Sequence, residues 1–235
     1  MLKKVAFFIL FALFSIQSII AAVPTVPGRP PLCISLGAAC GSALMLRELG
    51  LRTVAYPFDW MISPTDGLYK CLTEDFGHFF CDLKLRPDKT GVIDYYGFHF
   101  THDLPTQKSN MNAFMNTDFV GADILANEWQ KAVPQVQEKY NRRINRFRED
   151  CLGKEKVFFF RTEFVNKEDA ILIRDTLQQL YPKMDFTLVV MTRDNTFKQD
   201  WKLPRIKNFF ISGNTVIEWK KNLSLIDPVF KRYSL

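Results

Sequence analysis

Apolar residues along this chain fall into short continuous runs separated by amphipathic stretches. Leu32–Leu36, Lys156–Arg161, Phe186–Thr192 and Asn208–Ser212 are runs of this kind. Runs so short and so uniformly apolar read as strands covered on both faces, not as strands with one wet side. Between them, the stretch Cys40–Leu49 carries apolar residues at 43, 44, 46 and 49, and Gly50 follows as a stop signal. Asn166–Leu180 is a second helical stretch, opened by Asn166 with Asp169 three residues later in a capping-box arrangement. Buried strands alternating with helices predict an α/β fold: three layers, a mostly parallel sheet with helices on both faces, in a single domain over 32–235.

The middle of the chain is less regular. Met61–Gly67 reads as a turn, with Ser63 or Thr65 as a candidate helix cap, and Leu68–Phe80 as one or two short amphipathic helices. Val92–Thr101 has strand composition. Extended, it would place Asp94, Tyr96, Phe98, Phe100 and His102 on one face and His99 on the other. Residues 106–122 are polar and read as a loop, and Ile124–Arg148 as a long helical region bent at Pro134. Helical spacing near its end puts Arg142 and Arg146 on one face and Arg143 elsewhere.

This pattern places Cys40 behind a buried strand and a small-residue turn, Gly37-Ala38-Ala39, in the first turn of a helix. Helix N-termini expose unpaired N–H groups and the positive end of the dipole, both of which favour an anion. A thiol held there tends towards its nucleophilic thiolate. The alternative is a small buried packing residue. A cysteine nucleophile needs a base and a group orienting that base. His78, His99 and His102 are the three histidines, and His78 sits among aromatics as a core or surface residue. His102 stands at a predicted strand end before Leu104-Pro105, with Asp103 or Asp59 available to orient it. The amides of Ala39 to Gly41 are candidate oxyanion donors. Arg161 falls at the C-terminal end of its strand, the edge where open α/β sheets bind ligands.

Several of these residues carry a family resemblance. Ser35-Leu36-Gly37, Cys40, Leu46, Leu49-Gly50-Leu51-Arg52 and Tyr56-Pro57-Phe58-Asp59-Trp60 form a specific first block. His102-Asp103, Arg142-Arg143 and Phe158-Phe159-Phe160-Arg161 follow. Over roughly residues 33 to 163 the chain resembles a bacterial family, DUF1796, labelled as papain-like cysteine peptidases. The resemblance implies Cys40 as nucleophile, His102 as base in the papain order, and Arg142, Arg143 and Arg161 as substrate-binding residues. Two features depart from papain itself: the Cys-Gly-Ser-Cys-Trp signature and the upstream glutamine are missing. A strand running straight into the cysteine helix also resembles SGNH-type esterases and acyltransferases acting on glycans, although their Asp-x-x-His is absent, since Asp227-Pro-Val-Phe has no histidine. A third reading is an exported domain that binds without catalysis, with Arg161, Arg142 and Arg146 gripping an anionic glycan or nucleotide-like group.

Composition narrows the setting. With 47% hydrophobic and 24% charged residues the chain is globular, and its 22 phenylalanines predict an aromatic core. A net charge of +6 is too small a signal for nucleic-acid binding. The expected substrate is a peptide or an acylated glycan. Lys3-Lys4 followed by the apolar run Val5–Ala22 reads as a signal peptide over 1–22, or as an uncleaved membrane anchor through residues 5–22, so the domain is expected outside the cytoplasm. Residues 23–31, rich in proline, form a linker. Five cysteines lie beyond it, and Cys71 with Cys81 is a possible pair on loop grounds. No two have zinc-knuckle spacing, and His99 and His102 fall on opposite strand faces, so neither a metal nor another cofactor is expected.

Overall fold

The computed structural model describes residues 30–107, 124–153, 155–162, 165–193, 198–213 and 215–235. The expected signal segment, most of the linker and nearly all of the 106–122 loop lie outside the described residues.

Two strands, β6 (Val157–Thr162) and β7 (Phe186–Thr192), are buried at every position. They form the centre of a parallel four-stranded sheet, ordered β1-β6-β7-β8, with β1 at Leu32–Ser35 and β8 at Ile206–Phe210. The register opposes Leu32 to Val157, Val157 to Phe186 and Leu188 to Ile206. Alternation along these strands divides the core in two. Ile34, Val157, Phe159, Phe186, Leu188 and Val190 face one side. Cys33, Phe158, Phe160, Val189 and Met191 face the other.

The second face is covered by α1 (Gly41–Glu48) and α5 (Val216–Ile226), through Met45, Leu46, Trp219 and Leu223. The first face meets α2 (Thr65–Thr73), α3 (Val133–Leu152) and α4 (Lys167–Leu180), with Leu68, Phe147 and Leu177 in the interior. The fold is therefore the expected α/β arrangement, with helices on both faces of a parallel sheet. Asn166 caps α4 by accepting the Asp169 N–H at 2.7 Å, as its spacing predicts.

A small antiparallel sheet is the addition. Its order is β2-β5-β4-β3, with β2 at Met61–Ile62, β3 at Lys84–Leu85, β4 at Val92–Ile93 and β5 at His99–Phe100. The single strand expected over Val92–Thr101 is thus two strands joined by a tight turn. Asp94 makes that turn: Oδ1 accepts the N–H groups of Tyr96 (3.0 Å) and Phe98 (2.9 Å), and Oδ2 that of Phe80 (3.1 Å). Gly97 supplies the left-handed backbone, at φ +78°. The face-sharing expected of Asp94, Phe100 and His102 is lost at this reversal.

Pro134 does not bend a long helix. It stands in the first turn of α3, where its missing N–H costs no hydrogen bond, and a 3-10 turn at Trp129–Ala132 precedes it. Neither Ser63 nor Thr65 caps α2, whose N-cap is Pro64. Cys71 and Cys81 are both thiols, so the possible pair between them is not made. Among the described residues, no helix is long and apolar enough to cross a membrane.

Candidate active site

Cys40 stands where its sequence neighbours predict, as the N-cap of α1 and only half-buried. The strand-to-helix reversal before it uses two consecutive left-handed residues, Gly37 at φ +76° and Ala38 at φ +72°. The second of these is strained, because a Cβ disfavours that region, and such strain gathers at functional turns. The first-turn amides of α1 that follow belong to Gly41, Ser42 and Ala43, which are buried and have no acceptors within the helix. Of the other four cysteines, Cys33, Cys71 and Cys151 are buried and Cys81 is half-buried. Burial pushes up the thiols of Cys33, Cys71, Cys81 and Cys151, which keeps them protonated.

Buried hydroxyls hold the reversal in shape. Ser35 and Ser42 oxygens are 2.7 Å apart, and the Ser35 oxygen accepts the Gly37 N–H at 3.2 Å. The Ala38 N–H donates to Ser63 Oγ at 2.9 Å, and the Ser63 N–H returns to the Ala38 carbonyl at 3.3 Å. Gly37 has no room for a side chain, since a Cβ would lie 2.3 Å from Ser63 Oγ. Ser63 was legible in the sequence only as a candidate helix cap. Its role as a clamp across 25 residues has no local signal.

Arg161 enters from the next strand. It is 2% exposed, and its guanidinium donates to the Leu36 carbonyl (2.6 Å) and the Ser63 carbonyl (2.7 Å). Longer bonds of 3.3 Å reach Ser63 Oγ and Thr65 Oγ1. The residue expected to grip substrate is thus engaged within the fold, immediately behind the Cys40 turn.

The structure places the remaining predicted residues around α3. Asp59 is buried, accepting from Arg52 Nε at 2.9 Å and from the Tyr56 N–H at 3.0 Å. Burial pushes its carboxyl up against the pull of Tyr56, Arg52 and Arg143. Asp103 accepts from Tyr140 Oη at 2.7 Å and pairs with Lys139. Arg143 lies over the Tyr140 ring, 5.3 Å from its centroid. Asp59, Asp103 and Arg143 all act electrostatically on Tyr140, so these three are brought together. Arg142 is exposed and paired with Glu138 at 2.7 Å, at the rim of a groove of about 380 Å³ that Asp103 and Lys139 also line. Arg146 donates to the Ala55 carbonyl at 2.6 Å, so Arg142 and Arg146 do not converge on one anion.

His102 is exposed in the turn that follows β5. Antiparallel pairing opposes Ile62 to His99 and Met61 to Phe100, so the chain runs back towards the Asp59 side as it reaches His102. His99 stays nearer Ser63 in register, but its Nδ1 lies 2.8 Å from Arg86, and burial and that guanidinium lower its pKa. Among the described residues, no group of three or more His, Cys, Asp or Glu is placed to hold a metal ion.

The structure is thus an α/β protein that presents a half-buried cysteine at a strained strand-to-helix turn on the C-terminal edge of its parallel sheet. Family comparison is specific. The chain belongs to the family described as "Putative papain-like cysteine peptidase (DUF1796)", whose model matches residues 32–196. It is also 27% identical over 188 residues to "Uncharacterized protein R408" of Acanthamoeba polyphaga mimivirus, covering 70% of this chain and 73% of that protein. No solved structure matches it.

Proposed function

We propose that this protein is a cysteine-nucleophile hydrolase of the acyl-transfer class, with Cys40 as nucleophile. His102 is assigned as general base on the family resemblance alone, since the β2–β5 register carries it towards Asp59 and away from the Ser63 end that holds the Cys40 turn. The observation that carries the reading is the position of Cys40: half-buried, at a helix N-cap, behind two left-handed residues. In this scheme the Cys40 thiolate attacks the carbonyl carbon of a peptide or acylated glycan, forming a C–S bond. The negative charge on the carbonyl oxygen is met by the first-turn amides of α1. The leaving amine or alkoxide departs with the proton held by the imidazole. Water then adds to the thioester, the acid leaves, and the thiol is restored.

The parallel sheet with helices on both faces favours a second assignment within the same chemistry. An esterase or acyltransferase uses the same turn, but its leaving group is an alcohol and its acceptor can be another hydroxyl. Residues 5–22 further support export, either with cleavage or with anchoring.

The test is to incubate the protein with activated acyl esters and with peptide substrates and to weigh the intact chain. An acyl adduct on Cys40 that is absent in Cys40→Ala, and that forms slowly in His102→Ala, supports the assignment. Unchanged turnover in Cys40→Ala refutes it. Equal rates in His102→Ala remove the histidine alone.

A further inference from the structure

We infer that Arg161 is a positioning residue for the nucleophile: its buried guanidinium locks the Gly37–Cys40 turn by tying the end of β1 to Ser63. This deepens the cysteine-hydrolase reading and rests on it.

The argument begins with a cost. Arg161 is 2% exposed, and among the described residues it makes no ion pair with a carboxylate. Only the longer-range pull of Asp169 offsets the burial of this cation. A cation buried without a paired carboxylate is expensive, so that apolar residues of similar volume usually serve stability as well or better. The fold keeps this one at a single place, beneath the turn that presents Cys40. Its Nε is buried without a hydrogen-bond partner, so even the donors are not all satisfied. Stability alone is a poor explanation for such a residue.

Its contacts supply a better one. Nη1 reaches the Leu36 carbonyl at 2.6 Å, directly before the left-handed pair. Nη2 reaches the Ser63 carbonyl at 2.7 Å. Ser63 in turn holds Ala38 from both sides, accepting its N–H on Oγ and donating to its carbonyl. The guanidinium therefore fixes both the entry of the turn and the residue that clamps its strained middle. A guanidinium holds its donors in a rigid planar fork on two separate nitrogens, whereas an ammonium's three donors rotate about a single nitrogen. Cys40, two residues beyond Ala38, takes its orientation against the α1 amides from this arrangement.

The experiment measures iodoacetamide labelling of Cys40 against pH in the full chain, with Arg161→Met, Arg161→Lys and Ser63→Ala, each checked for folding by circular dichroism and melting. In the wild type the labelling midpoint should lie below the free-thiol value of about 8.5. Arg161→Met should raise it towards that value and slow labelling at pH 7 at least tenfold, with Arg161→Lys in between. Ser63→Ala, which retains Arg161, should raise it too and serves if Arg161→Met does not fold. A purely structural Arg161 would shift the melting temperature and leave the midpoint where it was. A depressed midpoint that is unchanged in the folded variants overturns this inference and leaves the hydrolase reading standing. An ordinary midpoint in the wild type overturns both.

Discussion

Replacing Gly37 by alanine isolates the packing of the nucleophile turn from the backbone cost of its shape. Two terms should add. A non-glycine residue in the left-handed region costs about 1–2 kcal/mol. The new methyl group would also lie 2.3 Å from Ser63 Oγ, and moving that hydroxyl breaks its bond with the Ala38 N–H. A half-buried amide left without its acceptor adds up to about 1–3 kcal/mol, the cost of a fully buried one. Gly50 provides the control: its φ is +69°, close to that of Gly37, but a Cβ there meets nothing within 4 Å. Gly50→Ala should therefore lose only the backbone term. Equilibrium urea unfolding of both variants, with m-values unchanged, should show Gly37→Ala less stable than Gly50→Ala by about 1–3 kcal/mol. Adding Ser63→Ala to each should narrow that difference, because the clashing oxygen is gone. Equal losses in the two single variants would refute the claim that Ser63 closes over the turn.

Two further outcomes follow from the core and from the hairpin turn. Phe58 is fully buried, with the rings of Phe76, Phe79, Phe98 and Phe147 between 5.8 and 6.1 Å away. Phe58→Ala should cost about 3–5 kcal/mol in urea unfolding, and a loss under about 1 kcal/mol would mean this cluster collapses freely around the gap. Burial pushes the Asp94 carboxyl up to about 6 from its ordinary 3.8, despite three backbone donors. The folded state then binds that proton more tightly than the unfolded chain does, so the contribution of Asp94 falls as pH rises from about 4 to about 6. Unfolding at pH 4 and pH 6.5 should show wild type losing stability relative to Asp94→Asn. The opposite trend would mean that the N–H donors of Tyr96, Phe98 and Phe80 outweigh burial.

The parallel sheet was legible because its signals are local. Continuous apolar runs mark β6 and β7, Asn166 marks the start of α4, and Gly50 marks the end of α1. The site of Cys40 was legible for the same reason, as a strand, a small-residue turn and a helix in sequence. The hairpin at residues 94–98 was not, because tyrosines and phenylalanines around Asp94 and Gly97 give strand composition to what is a turn. There the side chain of Asp94 overrides β propensity by satisfying three amides at once. Arg161 read as a ligand-binding residue at a strand end, since nothing along the chain signals that Leu36 and Ser63 will surround it. Ser63 and Tyr140 were missed as partners for related reasons. Hydrogen bonds between residues 25 and 37 positions apart leave no spacing pattern to read.

The account turns on Cys40 being a thiolate when its sibling cysteines are not. Native-state alkylation, resolved residue by residue by peptide mass spectrometry across pH 5 to 10, addresses this directly. Cys81, half-buried and with its thiol pushed up by burial, is the internal reference. Cys40 should label first, with a midpoint clearly below about 8.5. A midpoint at or above that value, or Cys81 reacting ahead of Cys40, would contradict the assignment of Cys40 as nucleophile.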